Sequence, residues 1–402
     1  PDPTLYITGL YVEVDAGIDV ERLRTSLLAV LDSAEAMRAV FVEEAGQVRQ
    51  RILPTADFDV PFRDIPAAEV DQWMTAELSR PMDVTVGPLT ECTIIRSLAP
   101  DGRVEAVLAL LKVHHLVCDG MGLGFFTQAV QEHYDSTRIP ADGTDPADRS
   151  GAETSTGTRD WRLRPVLDAE AQYREGPDFA ADADYWLERM GDRPQPVRLL
   201  DDDLAPGRGV VAARFDIPLD DLEALRAVAR GAGVRPTVLL IAAVAAFAHV
   251  RTGQTDLVLA LPVTGRLDRS ARTTPSMVTS VLPLRVDAGP RDNLADLAAR
   301  TERAVFAVVA HSRFRGEDLG RALAAQESRA GGPAASVQPY RMFGLGVNVM
   351  ANTSRQTIGG QPLALHALAS GPVSDIEIQI QVRRRERPAE VVIRTVDDAR
   401  DE

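Results

Sequence analysis

Hydrophobic and polar positions along the chain switch repeatedly between a period of two and a period near 3.6, which predicts a mixed α/β protein. Leu10, Val12 and Val14 alternate with Tyr11 and Glu13, as in a half-buried strand. Asp19 is then a suitable N-cap. Val20, Leu23, Leu27 and Leu31 fall on one face of the helix it would open. Residues 93–96 and 104–113 read as further strands, and the unbroken apolar run 106–111 suits a strand buried on both faces. That strand leads straight into His114 and His115. After Gly120, the residues Phe126, Ala129, Val130 and His133 resume helical spacing.

The second half repeats the alternation. A helix is expected over 180–190. Pro236 opens a nearly unbroken apolar helix over 238–250 that Gly253 closes. Residues 257–263 read as a buried strand ending at Thr264-Gly265-Arg266, 278–286 as another, and 294–309 as an amphipathic helix. Strands over 345–350 and 376–382 complete the pattern. Between the halves, 136–160 is polar and rich in Gly, Pro, Ser and Thr, the composition of a surface linker. There is no short repeat and no heptad pattern.

Composition narrows the function more than the fold. The 402 residues are long enough for two hydrophobic cores. The balance of 44 basic and 59 acidic residues, net −15, argues against a nucleic-acid surface and suits a solvated acidic exterior. Two cysteines, Cys92 and Cys118, make no disulfide framework, so a reducing cytoplasm is expected. No apolar run approaches the roughly 20 residues that span a bilayer. The chain opens on Pro1 without an initiator Met, and the expectation is a fragment or excised domain.

The chemistry concentrates at His114-His115-Leu116-Val117-Cys118-Asp119-Gly120. Two imidazoles at the end of a buried strand, a turn with Asp and Gly, and the start of a helix place a proton-handling group beside free backbone N–H groups. Adjacent strand residues point to opposite faces, so His114 and His115 are not expected to serve one substrate. The ordinary alternative is a pair of core histidines. A zinc site finds no second spaced pair of ligands and no HExxH. There is no GxSxG elbow, no P-loop and no GxGxxG after a strand. Cys118 sits in an apolar stretch, as an inert buried thiol would.

HHLVCDG at 114–120 resembles the HHxxxDG motif of nonribosomal peptide synthetase condensation domains, within the chloramphenicol acetyltransferase-like superfamily. SAEAMRAVF at 33–41 resembles the family's RHExLRTxF. LDAEAQYREG and DADYWLERM resemble its central linker helices. PVTGR at 262–266 and SMVTSVLPLRV at 276–286 resemble its later core motifs. HSRFRGEDLGRAL at 311–323, VNVM at 347–350 and SGPVSDIEI at 370–378 are most similar to the siderophore-synthetase branch. The departures are Ser33 in place of a His and Ser280 in place of an Asn. The family's opening SxAQxR helix would precede Pro1, and its last strands would follow Glu402. Heterocyclisation domains (DxxxxD) and epimerisation domains (EGHGRE) lack the matching residues here. No adenylation motif and no GGxS carrier motif occurs.

The resemblance implies two chloramphenicol acetyltransferase-like lobes in a V, 1–165 with the HHxxxDG motif and 166–402, with an interdomain tunnel entered from both sides. It implies transfer of an acyl or peptidyl group from a carrier-bound thioester to an amine or hydroxyl in nonribosomal peptide biosynthesis. The domain would be one monomeric part of a larger cytoplasmic synthetase. It would bind no cofactor, metal, nucleic acid or membrane of its own. Its substrates would arrive on the phosphopantetheine arms of donor and acceptor carrier proteins, peptidyl or aryl.

His115 would act as general base, or would orient the amine and stabilise the tetrahedral intermediate, while His114 packs inward. Asp119 would turn away and pair with a distant Arg, best matched by Arg266. Arg38 is a second candidate for a structural ion pair, or a solvent-facing side chain. Gly120 would permit a backbone conformation that a Cβ penalises. Ser280, Asn348 and Ser374 would line the tunnel or serve as structural hydrogen-bonders. Two other readings stay open: a free-standing coenzyme A-dependent acyltransferase, and a non-catalytic recruitment platform.

Overall fold

The computed structural model describes residues 3–137, 159, 161–200, 207–289, 291–329, 342–351, 356–369, 371–382 and 388–396. The chain opens with β1 (Ile7–Asp15) and α1 (Val20–Ser33), whose cap Asp19 accepts a hydrogen bond from Arg22 N at 3.0 Å. A hairpin of β2 (Ala39–Glu44) and β3 (Gln47–Ile52) precedes β4 (Phe62–Pro66) and α2 (Val70–Leu78). Next come β5 (Thr90–Leu98), β6 (Val104–His114) and α3 (Gly120–Ser136). The linker expected over 136–160 lies, apart from Ser136, Thr137 and Arg159, outside the described residues.

The later elements are α4 (Arg164–Glu175), α5 (Pro177–Met190), β7 (Gly207–Ile217), α6 (Leu219–Ala232), α7 (Pro236–Thr252), β8 (Asp256–Val263), β9 (Ser280–Asp287), α8 (Leu294–Ala310) and α9 (Gly316–Arg329). They are followed by β10 (Gly346–Ala351), the two-residue strands β11 (Thr357–Ile358) and β12 (Gln361–Pro362), β13 (Ala364–Ala369), β14 (Pro372–Val373), β15 (Ile376–Val382) and β16 (Ala389–Val396). The helix signals hold where they are physical. Pro236 stands in the first turn of α7, and Gly253 ends it in the left-handed region at φ 72°, with its N–H on His249 O at 2.8 Å.

Two compact units result, and they are not contiguous in sequence. The first is Pro1–Ala169 with Asp268–Val278 and Arg355–Gly371; the second is Glu170–Leu267, Thr279–Ser354 and Pro372–Glu402. This corrects the expectation of one boundary near 165, because two segments from the second half return to the first unit. Local pattern carries no address for such a return: the ALHALA of β13 reads as a strand without naming its neighbour.

In the first unit the sheet runs β13-β1-β6-β5-β4. β1 pairs antiparallel with both β13 and β6, with Ile7 opposite His114 and Leu10 opposite Leu111. α1 and α3 cover one face through Leu23, Leu27, Leu31, Phe126 and Val130. α2 covers the other through Val70 and Met74. Along β6, Val107, Leu108 and residues 110–114 are all buried, so the apolar run is a central strand covered on both faces.

In the second unit the sheet runs β14-β7-β16-β15-β10-β8-β9, with β10 parallel to β15 and β8 and the other pairs antiparallel. Its main core packs Trp186 of α5, the Leu239–Ala248 face of α7 and Leu297, Val305 and Val308 of α8 against β8, β9 and Leu345. No single helix among the described residues is long and apolar enough to cross a membrane.

The intertwined first unit makes a test. Residues 1–169 alone lose β13 as a neighbour of β1, and they lose the Thr273 carbonyl that accepts from Trp161 Nε1 at 2.9 Å. The fragment is expected to bind a hydrophobic dye and to be cleaved by limited proteolysis far faster than the whole chain. A fragment that melts cooperatively at the temperature of the full chain contradicts the arrangement.

Candidate active site

β6 ends at His114, and the turn 115–119 joins it to α3. His114 is 6% exposed; its N–H donates to Leu89 O at 2.9 Å. Its Nδ1 accepts from the N–H of Leu116 at 3.2 Å, so Nδ1 holds a lone pair and the ring proton sits on Nε2. His115 is half-buried, and its own N–H donates to Tyr6 O at 2.8 Å. Its Nδ1 lies 3.1 Å from the carbonyl of Cys118. A carbonyl only accepts, so here Nδ1 carries the proton and Nε2 the lone pair. Backbone partners thereby hold the neighbouring histidines in opposite tautomers.

Burial, with a contribution from the charge of His115, pushes the His114 imidazole below the ordinary histidine range. The same face of the sheet holds Lys112, 1% exposed, whose Nζ is 3.3 Å from Glu91 and 3.9 Å from Glu77. Burial lowers the Lys112 pKa, against the pull of Glu91. Sequence reading passed over this lysine, although a charge directly after the unbroken apolar run 106–111 was a visible signal.

Asp119 is 1% exposed and is the N-cap of α3. Its Oδ1 accepts from Gly122 N at 2.8 Å and its Oδ2 from Val278 N at 2.9 Å. The Asp119 N–H in turn donates to Ser276 O at 3.3 Å. The carboxylate thus clamps the returning segment 268–278 to the helix start, and the Nδ1 partner of His115 is Cys118 O rather than Asp119. Strand β9 accordingly begins at Ser280 and not at the expected 278, because the N–H of Val278 is given to Asp119.

The glycine argument needs correcting. A Cβ on Gly120 would meet no atom within 4 Å and its φ is not positive, so no conformational demand rests on it. The constrained glycine is Gly122, where a Cβ would stand 2.5 Å from Cys118 Sγ and 3.0 Å from Ser276 N. The second glycine missed from sequence is Gly371, at φ 86° and beside the His115 ring.

Arg38 does not make the ion pair offered for it: its Nη1 donates to the carbonyls of Leu53 and, at 2.9 Å, Pro54, and no carboxylate pairs with it among the described residues. Arg266 is buried, on the segment after β8 in the second unit. Ser280 is buried and its Oγ accepts from Gly316 N at 3.1 Å, which anchors the first turn of α9. Asn348 on β10 and Ser374 before β15 are half-buried. Asp375, next to Ser374, accepts from Leu199 N at 2.8 Å and Leu200 N at 2.9 Å. The arrangement near His115 thus draws together Tyr6, His114, Cys118, Asp119, Gly122, Ser276, Val278 and Gly371. Among the described residues no three His, Cys, Asp or Glu side chains converge on a metal position.

Two outcomes follow from this geometry. Asp119→Ala leaves two N–H groups unpaired, at about 1–3 kcal/mol each, and is expected to lower the melting temperature by many degrees. Gly122→Ala is expected to destabilise strongly and Gly120→Ala to leave the melting temperature within a few degrees of wild type. Equal effects of the two alanines in a thermal melt would contradict the packing. The second outcome concerns pH. The unfolded chain protonates His114 near pH 6.5 and the folded protein only lower, so stability falls as pH drops below about 6.5. Denaturant titrations from pH 7.5 to 5 should show His114→Gln flattening that decline; an unchanged slope excludes His114 as its source.

The condensation-domain family profile matches residues 1–342. Over 389 residues the chain is 33% identical to the isonitrile lipopeptide synthase of Streptomyces coeruleorubidus, covering 95% of this chain and 25% of that protein. It is 26% identical over 387 residues to enterobactin synthase component F of Escherichia coli O157:H7, covering 94% of this chain and 28% of that one. Among solved structures, the first condensation domain of the calcium-dependent antibiotic synthetase, in complex with a substrate analogue, superposes with a TM-score of 0.81 at 28% identity, covering 98% of this chain and 86% of that one. The starter condensation domain of rhizomide synthetase in complex with C8-CoA also gives 0.81, at 25% identity, with 98% and 85% covered. With the same mixed α/β fold and a profile match over most of its length, this chain belongs to the condensation-domain family of nonribosomal peptide synthetases.

Proposed function

We propose that this domain joins a carrier-bound acyl or peptidyl thioester to an amine, with His115 Nε2 facing the nucleophile. The observation that carries the proposal is the hydrogen bond from His115 Nδ1 to Cys118 O, which puts the ring's basic lone pair on Nε2. The amine nitrogen attacks the thioester carbonyl, a C–N bond forms, and the C–S bond breaks. The proton lost from nitrogen ends on the departing thiol. Nε2 either takes that proton in passing or holds the N–H in line during attack. A hydroxyl acceptor gives an ester by the same balance. The structural roles read for His114 and Asp119 leave His115 as the catalytic residue of the motif. On β5, burial pushes the Cys92 thiol up, which argues against a thiolate nucleophile there.

The relatives' names speak of synthases, so donor and acceptor are proposed to arrive on phosphopantetheine arms of carrier domains outside these residues. Tethering raises the local concentration of each arm, so weak docking to a domain of net charge −15 suffices. Both cysteines are buried free thiols, which supports work in a reducing compartment such as the cytoplasm. A second reading, coenzyme A thioester as donor, has one specific observation in its favour: the rhizomide starter domain is described in complex with C8-CoA.

One assay separates them. The same acyl group is supplied as a carrier-bound thioester, a coenzyme A thioester and a short pantetheine mimic. The carrier form is expected to win in kcat/KM by at least tenfold; parity or better for coenzyme A replaces the carrier reading. His115→Ala is expected to abolish product formation while its melting temperature stays within a few degrees of wild type. Near-normal turnover by a folded His115→Ala protein refutes the catalytic role.

A further inference from the structure

One peptide unit, between Cys118 and Asp119, carries two of the links that hold the turn. Its carbonyl accepts from His115 Nδ1 at 3.1 Å, and its N–H donates to Ser276 O at 3.3 Å. Among the described residues only the Gly87–Pro88 bond is cis, so this unit is trans. A trans peptide is planar, with its C=O and N–H pointing in opposite directions, and the two turn together. Whatever swings the N–H off Ser276 therefore swings the Cys118 carbonyl off the imidazole.

Ser276 reaches that position because a side chain is missing opposite it. Gly122 lies in the first turn of α3, and a Cβ built on it would stand 3.0 Å from Ser276 N and 3.2 Å from Ser276 O. It would also stand 2.5 Å from Sγ of Cys118, a fully buried residue. The sulfur ends a short side chain that can turn aside. The Ser276 backbone must instead retreat from the helix start by a few tenths of an ångström. The bond from Asp119 N is already long at 3.3 Å, and beyond about 3.5 Å little of it remains. One methyl at 122 is thus enough to free the N–H end of the 118–119 peptide.

We propose that Gly122 is a positioning residue for His115: its bare Cα lets Ser276 close on the helix start, and Ser276 orients the 118–119 peptide so that the ring's basic lone pair stays on Nε2. The proposal rests on the reading of His115 as the group that meets the nucleophile. Asp119 fixes where the returning segment is anchored, through Val278, and Gly122 fixes how near it comes at Ser276. With the carbonyl turned away, the ring proton redistributes between the two nitrogens. A ring protonated on Nε2 presents a donor to the nucleophile where an acceptor is needed. The defect lies in the proton-handling step, so it falls on kcat and not on KM.

Gly122→Ala alone presses on both sulfur and backbone, so the test combines it with Cys118→Ala, which relieves the contact at sulfur. Cys118→Ala by itself is the reference. Gly124→Ala controls for an alanine in this helix, because a Cβ there would meet nothing within 4 Å. The ring nitrogens of His115 are read at pH 8 by nitrogen NMR of protein labelled in its histidines, with His115→Gln to assign them. Wild type and Gly124→Ala are expected to show a protonated Nδ1 and a bare Nε2. The double variant is expected to shift toward protonated Nε2, with kcat lower than its reference by roughly tenfold or more and KM little changed. A wild-type ring protonated on Nε2 overturns the proposal. So does a double variant whose ring or whose kcat matches its reference, or one that no longer folds, since the cost is assigned to the rotation of one peptide. A Cys118→Ala ring that has already lost the wild-type pattern gives the positioning to sulfur and overturns it as well. Absence of amide from wild type falls on the condensation reading instead; the ring signals need no turnover and still decide Gly122.

Discussion

The site depends on one buried carboxylate. Asp119 accepts with one oxygen from Gly122 within its own helix start and with the other from Val278, 159 residues away in a returning segment. A buried charge is tolerated only when partners satisfy it, and the two described here are peptide groups that cannot rotate away. The turn 115–119 is therefore fixed at its far end by Asp119 and at its near end by the bond from His115 N to Tyr6 O. Between those two anchors the Cys118 carbonyl meets His115 Nδ1. The ring's protonation pattern is in this sense a property of the loop, and the loop is a property of the clamp.

The charge distribution along β6 separates two jobs. Lys112 and His114, two residues apart on one face of the strand, are both buried, and burial works against the charged form of each. Lys112 keeps Glu91 and Glu77 as partners, whereas His114 holds a neutral ring against the N–H of Leu116. His115 is the imidazole of the pair that keeps exposure. Two identical side chains thus diverge because one ends a buried strand and the other begins the turn.

Much of the motif was legible in the chain itself. The Asp19 start signal, the Gly253 stop signal, the buried run into His114 and the helix after Asp119 rest on local chemistry, and local chemistry is written in adjacent residues. Membership of the family was legible too, because HHLVCDG and SMVTSVLPLRV keep their order. The failures share a cause. Gly120 looked like the constrained glycine because it sits in the motif, yet constraint comes from what a Cβ would touch, and only Gly122 faces Cys118 and Ser276. Arg38 looked like an ion-pair partner because charge is visible in sequence, whereas the carbonyls of Leu53 and Pro54 that take it are not. The return of 268–278 and 355–371 to the first unit had no local signal at all. Tertiary neighbours decide each of these, and a single sequence does not name them.

The described contacts around His115 run through backbone groups: Tyr6 O and Cys118 O hold the ring's residue, and Gly122 N and Val278 N hold the clamp. That economy suits a reaction whose electrophile is already activated as a thioester and whose two reactants are proposed to arrive tethered. Proximity supplies the larger share of such an acceleration, and under the proposed function the protein's remaining task is to keep one imidazole in one tautomer. Backbone groups from near residues 6, 118, 278 and 371 are brought together only when both ends of the first sheet are assembled, so the chemistry cannot precede complete folding of that unit. Substitutions in the first unit that shift the backbone at these points, or that remove the Asp119 carboxylate, act on the His115 tautomer through the clamp.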